Sequence, residues 1–214
     1  MKRKSIIPAV IWLMAFLLFT LSLKFIDVEA IGPQGTMVGY AKLNSAFFNL
    51  TGVNELIDKI SDILALIAIL MGLYFVFKGF LQLLKRKSLT AVDSEIYLLA
   101  IFLVLMAATY FLFNIVTINY RPILEDGVLE GSYPSSHVLL AICLCGYVMV
   151  MDENRLLTYG ALFVLVASTL CRLLSGVHWL TDVIGAILIA GSLIAFFSYF
   201  VDRIRYPELY HSDL

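Results

Sequence analysis

The chain has 214 residues, of which 61% are hydrophobic, 13% aromatic and only 14% charged, with a formal net charge of −1 and a mean hydropathy of +0.94. Soluble domains carry about 45–50% apolar and about 25% charged residues, so a water-soluble globule, a disordered chain and a disulfide scaffold are all excluded. Fifteen basic residues against sixteen acidic ones leave no cationic excess to hold a nucleic-acid backbone.

In chain order, Lys2, Arg3 and Lys4 precede an apolar run over Ser5–Phe25. It is longer than the h-region of a signal peptide, so a retained helix is expected even though Val28-Glu29-Ala30 resembles a cleavage site. Further apolar runs cover Ile60–Leu83, Ile96–Ile118, Val138–Met151, Leu156–Leu174 and Val183–Val201. Most reach the roughly 20 residues a helix needs to cross the hydrocarbon. The fourth is short, and its start is expected to extend into its flanks or lie buried in protein beside a polar cavity. The segment Asp27–Lys59 is broken early by Gly32, Pro33 and Gly35, and its second half is either an interfacial helix or the entry to the second span. Cys143, Cys145 and Cys171 are odd in number and lie in or beside apolar runs, as buried hydrophobes do.

The basic residues alternate between loops. Lys2, Arg3 and Lys4, then Lys85, Arg86 and Lys87, then Arg155, then Arg203 and Arg205 fall on one side, with Lys78 close to it. The positive-inside rule makes that side cytoplasmic, with both termini on it. The expected architecture is a single all-α domain over residues 1–214, six transmembrane helices in a bacterial plasma membrane. Gly185, Ala186, Ala190 and Gly191 serve either internal helix packing or a dimer contact.

The opposite face receives Asn119-Tyr120-Arg121-Pro122, Tyr133-Pro134-Ser135-Ser136-His137 and Cys171–Asp182. Arg172 and Asp182 stand at edges of apolar runs, where ionisable groups are costly unless paired or functional. An Arg172–Asp182 ion pair is the plain structural alternative. His178 and Asp182 are four apart, so a helix beginning there puts them on one face. A carboxylate at Asp182 accepts Nδ1–H of His178 and leaves Nε2 nucleophilic. Arg121 and Arg172 present planar donors to phosphate oxygens. Ser135, Ser136 and the helix N-terminus at His137 add hydroxyl and backbone donors, and His137 is a second histidine able to act as an acid. The set suits phosphoryl transfer without a metal. Glu125, Asp126 and Glu130 read as a solvated loop pointing away from an anion site. Tyr120, Tyr133 and Trp179 read as interfacial aromatics.

Arg121-Pro122, Pro134-Ser135-Ser136-His137 and Arg172-x5-His178-x3-Asp182 resemble, in order and in the third motif's internal spacing, the three signature motifs of the type 2 phosphatidic acid phosphatase superfamily. They cover the 62 residues from Arg121 to Asp182. The resemblance implies hydrolysis of a lipid phosphate or diphosphate through a phosphohistidine at the outer membrane surface, with no metal cofactor. It assigns His178 as nucleophile, Asp182 as its orienting partner, His137 as acid, and Arg121, Arg172, Ser135 and Ser136 as phosphate ligands. Three positions depart from the family's pattern: Asn114 stands where the first motif begins with lysine, Ser136 where glycine is frequent, and Cys171 where serine is usual. Undecaprenyl diphosphate is the favoured substrate, with phosphatidylglycerol phosphate or phosphatidic acid as alternatives. The expected partners are the lipid substrate and the bilayer. A non-hydrolytic lipid-phosphate carrier using the same cradle is the rival reading.

Overall fold

The computed structural model describes residues 3–86, 93–152 and 154–210; Lys2, Lys87 and His211 lie outside them. Seven α-helices are described: α1 Ile7–Ser22, α2 Ala41–Thr51, α3 Glu55–Arg86, α4 Ser94–Ile115, α5 Ser136–Met151, α6 Arg155–Leu174 and α7 Leu180–Arg205. Six follow the apolar runs read from the sequence. The seventh, α2, lies within the long segment between α1 and α3. That segment therefore supplies both a short extra helix and the first turns of α3.

Four helices, α3, α4, α6 and α7, are long and apolar enough to cross a membrane. α1 and α5 have 16 residues each, about 24 Å at 1.5 Å per residue against a hydrocarbon core of about 30 Å. α1 is thus shorter than its apolar run, because the chain turns at Leu23. α5 gains only Ser136 and His137 over its run and stops at Asp152. Most of its length is buried in protein. Val138, Leu139, Ala141, Cys143, Leu144, Cys145, Tyr147 and Val148 are all buried, so α5 is the axis of the bundle.

The other helices pack around that axis. α3, α6 and α7 all pack on α5, α1 lies along α7, and α4 sits at the edge against α7 and α5. Small residues permit the close crossings. A side chain at Gly185 would strike the Tyr133 ring and one at Gly191 the Trp12 ring, while Ala186 and Ala190 are fully buried. These residues therefore serve internal packing. Large apolar side chains cover the outside, among them Ile115, Leu156 and Phe163. Such a surface is stable only in lipid.

One end of the bundle is tied by ionic contacts. Arg205 at the end of α7 pairs with Glu95 at the start of α4 and reaches the carbonyls of Val150 and Met151. Lys4 donates to Ser198, and Tyr210 to Asp202. Among the described residues, Lys4, Arg155, Arg203 and Arg205, expected on one side, lie at this end. The opposite end collects the start of α3, the end of α4, the start of α5, the end of α6 and the start of α7.

Candidate functional site at the far end of the bundle

The site begins with the loop between α6 and α7. Gly176 sits at φ +72°, and a Cβ there would lie 1.9 Å from the carbonyl oxygen of Gly52. Only glycine fits both conditions. The connector between α2 and α3 thus docks on this loop, and Asn54 N–H donates to the Ser175 carbonyl at 2.9 Å. From α2, buried Asn44 donates to Thr181 Oγ1 at 3.0 Å and accepts from Thr181 N–H at 3.2 Å. The segment before α3 is therefore scaffold for the start of α7.

That scaffold fixes Asp182, which is fully buried. Its Oδ2 accepts the Trp179 N–H at 3.0 Å and lies 3.6 Å from Nδ1 of His178. Its Oδ1 accepts from Asn119 Nδ2 at 3.0 Å. The shared helical face expected for His178 and Asp182 is replaced by a cap: α7 starts at Leu180, and His178 lies just before it. The two groups still face each other. His178 is 4% exposed, and its Nε2 has no partner among the described residues. Burial holds the imidazole below its ordinary pKa; Asp182 pulls it back up, while Arg172 and Arg121 push it further down. Neutral imidazole with a free Nε2 is the form a nucleophile needs.

The start of α5 supplies the next groups. Ser135 N–H donates to the Asp182 carbonyl at 3.1 Å, which joins the two motifs directly. Ser135 Oγ is buried without a partner among the described residues. Ser136 lines a pocket of about 110 Å³ with Asn114, Arg121, Glu130, Tyr133, Leu139 and His178. His137 lies close enough to Arg172, His178 and Arg121 for their charges to matter. Burial first, and then Arg172, His178 and Arg121, push its pKa down to about 3, with Asp58 acting the other way. Its Nε2 is 3.1 Å from Oδ1 of Asp62, whose carboxylate is 55% exposed. Solvent screens that contact.

Both arginines are held by carboxylates. Arg172 is 2% exposed; its guanidinium pairs with Asp58 and, at 3.3 Å, with Asp62, both from α3. Asp182 is not its partner, so the structural alternative read from the sequence is overturned: Asp182 is committed to α7's first turn, and Asp58 and Asp62 reach Arg172 first. Arg121 pairs with Glu125 at 2.5 Å and Glu130 at 3.4 Å. The loop carrying them folds back through pairings of Tyr120 with Gly131 and Glu125 with Val128, which turns both glutamates inward. The expectation that they point away is therefore corrected, and only Asp126, exposed at the tip with positive φ, fits it. Among the described residues no group of three or more His, Cys, Asp or Glu side chains is arranged to hold a metal ion.

Two aromatics also depart from expectation. Trp179 and Tyr133 are each 3% exposed. Trp179 Nε1 donates to the Tyr120 carbonyl at 2.8 Å, and Tyr133 hydroxyl lies 2.6 Å from Thr20 Oγ1. They brace the site from inside instead of lining a membrane interface. Sequence reasoning missed Asn44, Asn119, Asp58 and Asp62 as contributors. The signal for the last two was present: aspartates four apart in the opening turns of an apolar helix, where a charge is a functional hint.

Among the described residues, buried polar atoms without partners cluster here: Ser135 Oγ, His137 Nδ1, Arg172 Nε and both ring nitrogens of His178. Each costs free energy unless a ligand meets it. Planar cations, hydroxyls and a neutral imidazole gathered at this end of the bundle, with Arg121, Ser136 and His178 lining the pocket, suit a tetrahedral oxyanion beside a nucleophile.

The fold and this pocket define a polytopic helical membrane protein with an arginine- and histidine-lined site at one end of the bundle. The fold recurs in the crystal structure of the first transmembrane PAP2 type phosphatidylglycerolphosphate phosphatase from Bacillus subtilis, with a TM-score of 0.59 over 92% of this chain and 96% of that one, at 18% identity. No family model matches the sequence, and no curated protein does.

Proposed function

We propose that this protein is a membrane lipid phosphatase of the type 2 phosphatidic acid phosphatase superfamily, with the short helices α1 and α5 completing a set of six membrane-embedded helices and the site facing outward from a bacterial plasma membrane. The observation that carries the reading is the buried His178–Asp182 pair with Nε2 free, set against Arg121, Arg172, Ser135 and His137. The shared fold with a phosphatidylglycerolphosphate phosphatase supports it.

In the first step the phosphate exchanges with the carboxylates on Arg121 and Arg172, and Ser135 and Ser136 donate to its oxygens. The lone pair on Nε2 of His178 attacks phosphorus, and the bond to the lipid oxygen breaks. His137 relays the proton of the substrate monoanion to that oxygen, so the lipid leaves as an alcohol, or as a monophosphate if the substrate is a diphosphate. Asp182 stabilises the positive charge that develops on the phosphorylated imidazole. In the second step His137 takes a proton from water, the water oxygen attacks phosphorus, the P–N bond breaks, and the departing inorganic phosphate takes the proton from His137. The cations here do the work a metal does in other phosphatases.

The test is phosphate release by purified protein in detergent with EDTA, from undecaprenyl diphosphate, phosphatidylglycerol phosphate and phosphatidic acid, for the wild type and His178→Ala. Release that persists in EDTA and disappears in the variant supports the proposal. Binding of these lipids without release by the wild type favours a carrier instead.

A further inference from the structure

Four carboxylates hold two guanidiniums at the site: Asp58 and Asp62 on Arg172, Glu125 and Glu130 on Arg121. Any phosphate that binds must take those arginines from them. The cations themselves are fixed, since Arg172 is 2% and Arg121 14% exposed. What differs is how far each carboxylate can withdraw. Glu125 and Glu130 have long side chains on a loop and can swing into water. Asp58 and Asp62 have short side chains on the opening turns of a 32-residue helix, and α3 is packed against both α5 and α6. Asp58 is 25% and Asp62 55% exposed, but their helix fixes where both carboxylates stand, and they stay beside the bound phosphate. Asp62 also faces Nε2 of His137 at 3.1 Å, so it borders the position from which the leaving oxygen is protonated. Asn114, which lines the pocket with Arg121 and His178, adds a dipole and no charge.

We propose that Asp58 and Asp62 are specificity-determining residues that limit this site to phosphate groups of low charge, so that its preferred substrates are lipid phosphomonoesters and not lipid diphosphates. The inference rests on the phosphatase reading above and narrows it. A diphosphate brings a second charged phosphoryl group as its leaving group. That group must sit beyond the attacked phosphorus, on the side His137 and Asp62 border. There it meets a fixed carboxylate where a lipid alcohol brings none. Like-charge contact at this distance is a discriminating element of the kind that sets specificity by repulsion.

The experiment compares kcat/KM on undecaprenyl phosphate and undecaprenyl diphosphate in the same micelles, for the wild type, Asp58→Asn, Asp62→Asn, the double variant and Asp62→Glu. The shared tail cancels chain recognition, and the ratio cancels losses of active protein. The wild type is expected to prefer the monophosphate by about tenfold or more. Each asparagine is expected to move the ratio toward the diphosphate by several-fold, and Asp62→Glu to leave it near the wild-type value. An unchanged ratio in both asparagine variants, or a wild type faster on the diphosphate, overturns the proposal while leaving the phosphatase reading intact. Absence of phosphate release from both lipids and from other lipid monophosphates overturns the phosphatase reading and this one with it. Should Asp58→Asn fail to fold, Asp62 is exposed enough for its asparagine variant to answer alone. Raising salt must also narrow the wild-type preference, because screening weakens the repulsion; a preference indifferent to salt counts against the proposal.

Discussion

Replacing Asp182 by asparagine separates charge from shape at the centre of the site. The carboxylate is fully buried, accepts from Trp179 N–H and Asn119 Nδ2 at 3.0 Å each, and lies 3.6 Å from Nδ1 of His178. An asparagine side-chain oxygen kept toward Trp179 preserves the cap on α7, and its amide then faces Asn119, which accepts once its own amide is turned. The structural loss is thus about one hydrogen bond, roughly 1 kcal/mol. The catalytic loss is larger. In the proposed step His178 goes from neutral to cationic beside Asp182. At roughly 4 Å and an effective dielectric of about 20 the attraction is about 4 kcal/mol, and each ~1.36 kcal/mol is tenfold in rate. Asp182→Asn should therefore lower kcat by about 10³-fold while KM changes only a few-fold. The variant should also shift the acid limb of the pH–rate profile. Asp182 raises the His178 pKa, so its removal lowers it further and keeps His178 neutral at more acidic pH. Steady-state phosphate release from pH 4 to 8 measures both effects. A kcat within about threefold of wild type, or an acid limb that moves upward, refutes the reasoning.

Other perturbations reach other parts of the account. Gly176→Ala places a Cβ against the Gly52 carbonyl at a positive φ, so it should displace the His178 loop and abolish activity; a variant with wild-type kcat in the same assay contradicts the docking. His137→Gln should slow release from a lipid alkyl phosphate by about 10²–10⁴-fold but far less from an aryl phosphate with a good leaving group, and equal losses on both substrates remove its role as acid. Because burial and the neighbouring cations push His137 down to about 3 and His178 below its ordinary value, both are neutral in the free site near pH 7. The leaving-group proton must then arrive on the substrate monoanion, whose second ionisation lies near about 6. The alkaline limb of kcat/KM should follow that ionisation when substrates with different phosphate pKa values are compared; a limb fixed at one pH assigns it to the enzyme. The same shift has a stability consequence. The unfolded chain binds a proton at His137 below about pH 6.5 that the folded chain refuses until about pH 3, so stability falls as pH drops through that window. His137→Gln should flatten the fall in a detergent melting series.

The apolar runs placed six helices to within a few residues, because length and hydropathy are local properties. The two motif loops were also legible, since spacing alone puts His178 near Asp182 whether or not a helix begins there. The rest depended on long-range contacts that no spacing records. Arg172 chooses between acidic partners by geometry, and Asp58 and Asp62 reach it from 110 or more residues away in sequence. Glu125 and Glu130 read as solvated because nothing in a charged loop states that it folds back on Arg121. Trp179 and Tyr133 carry the chemistry of interfacial residues, yet packing by Phe48 and Phe16 takes them inside. Asn44 and Asn119 carry no signal at all until the segment before α3 is seen to hold the start of α7.

The central claim is that Nε2 of His178 takes the phosphoryl group. Rapid quenching of the enzyme with phosphorus-labelled lipid phosphate, followed by mapping of the labelled residue, tests it most directly. The account requires a transient label on His178, labile to acid and stable to base, that forms at least as fast as phosphate is released and is absent from His178→Ala. Phosphate release at the wild-type rate with no protein-bound label, or with the label on another residue, contradicts it.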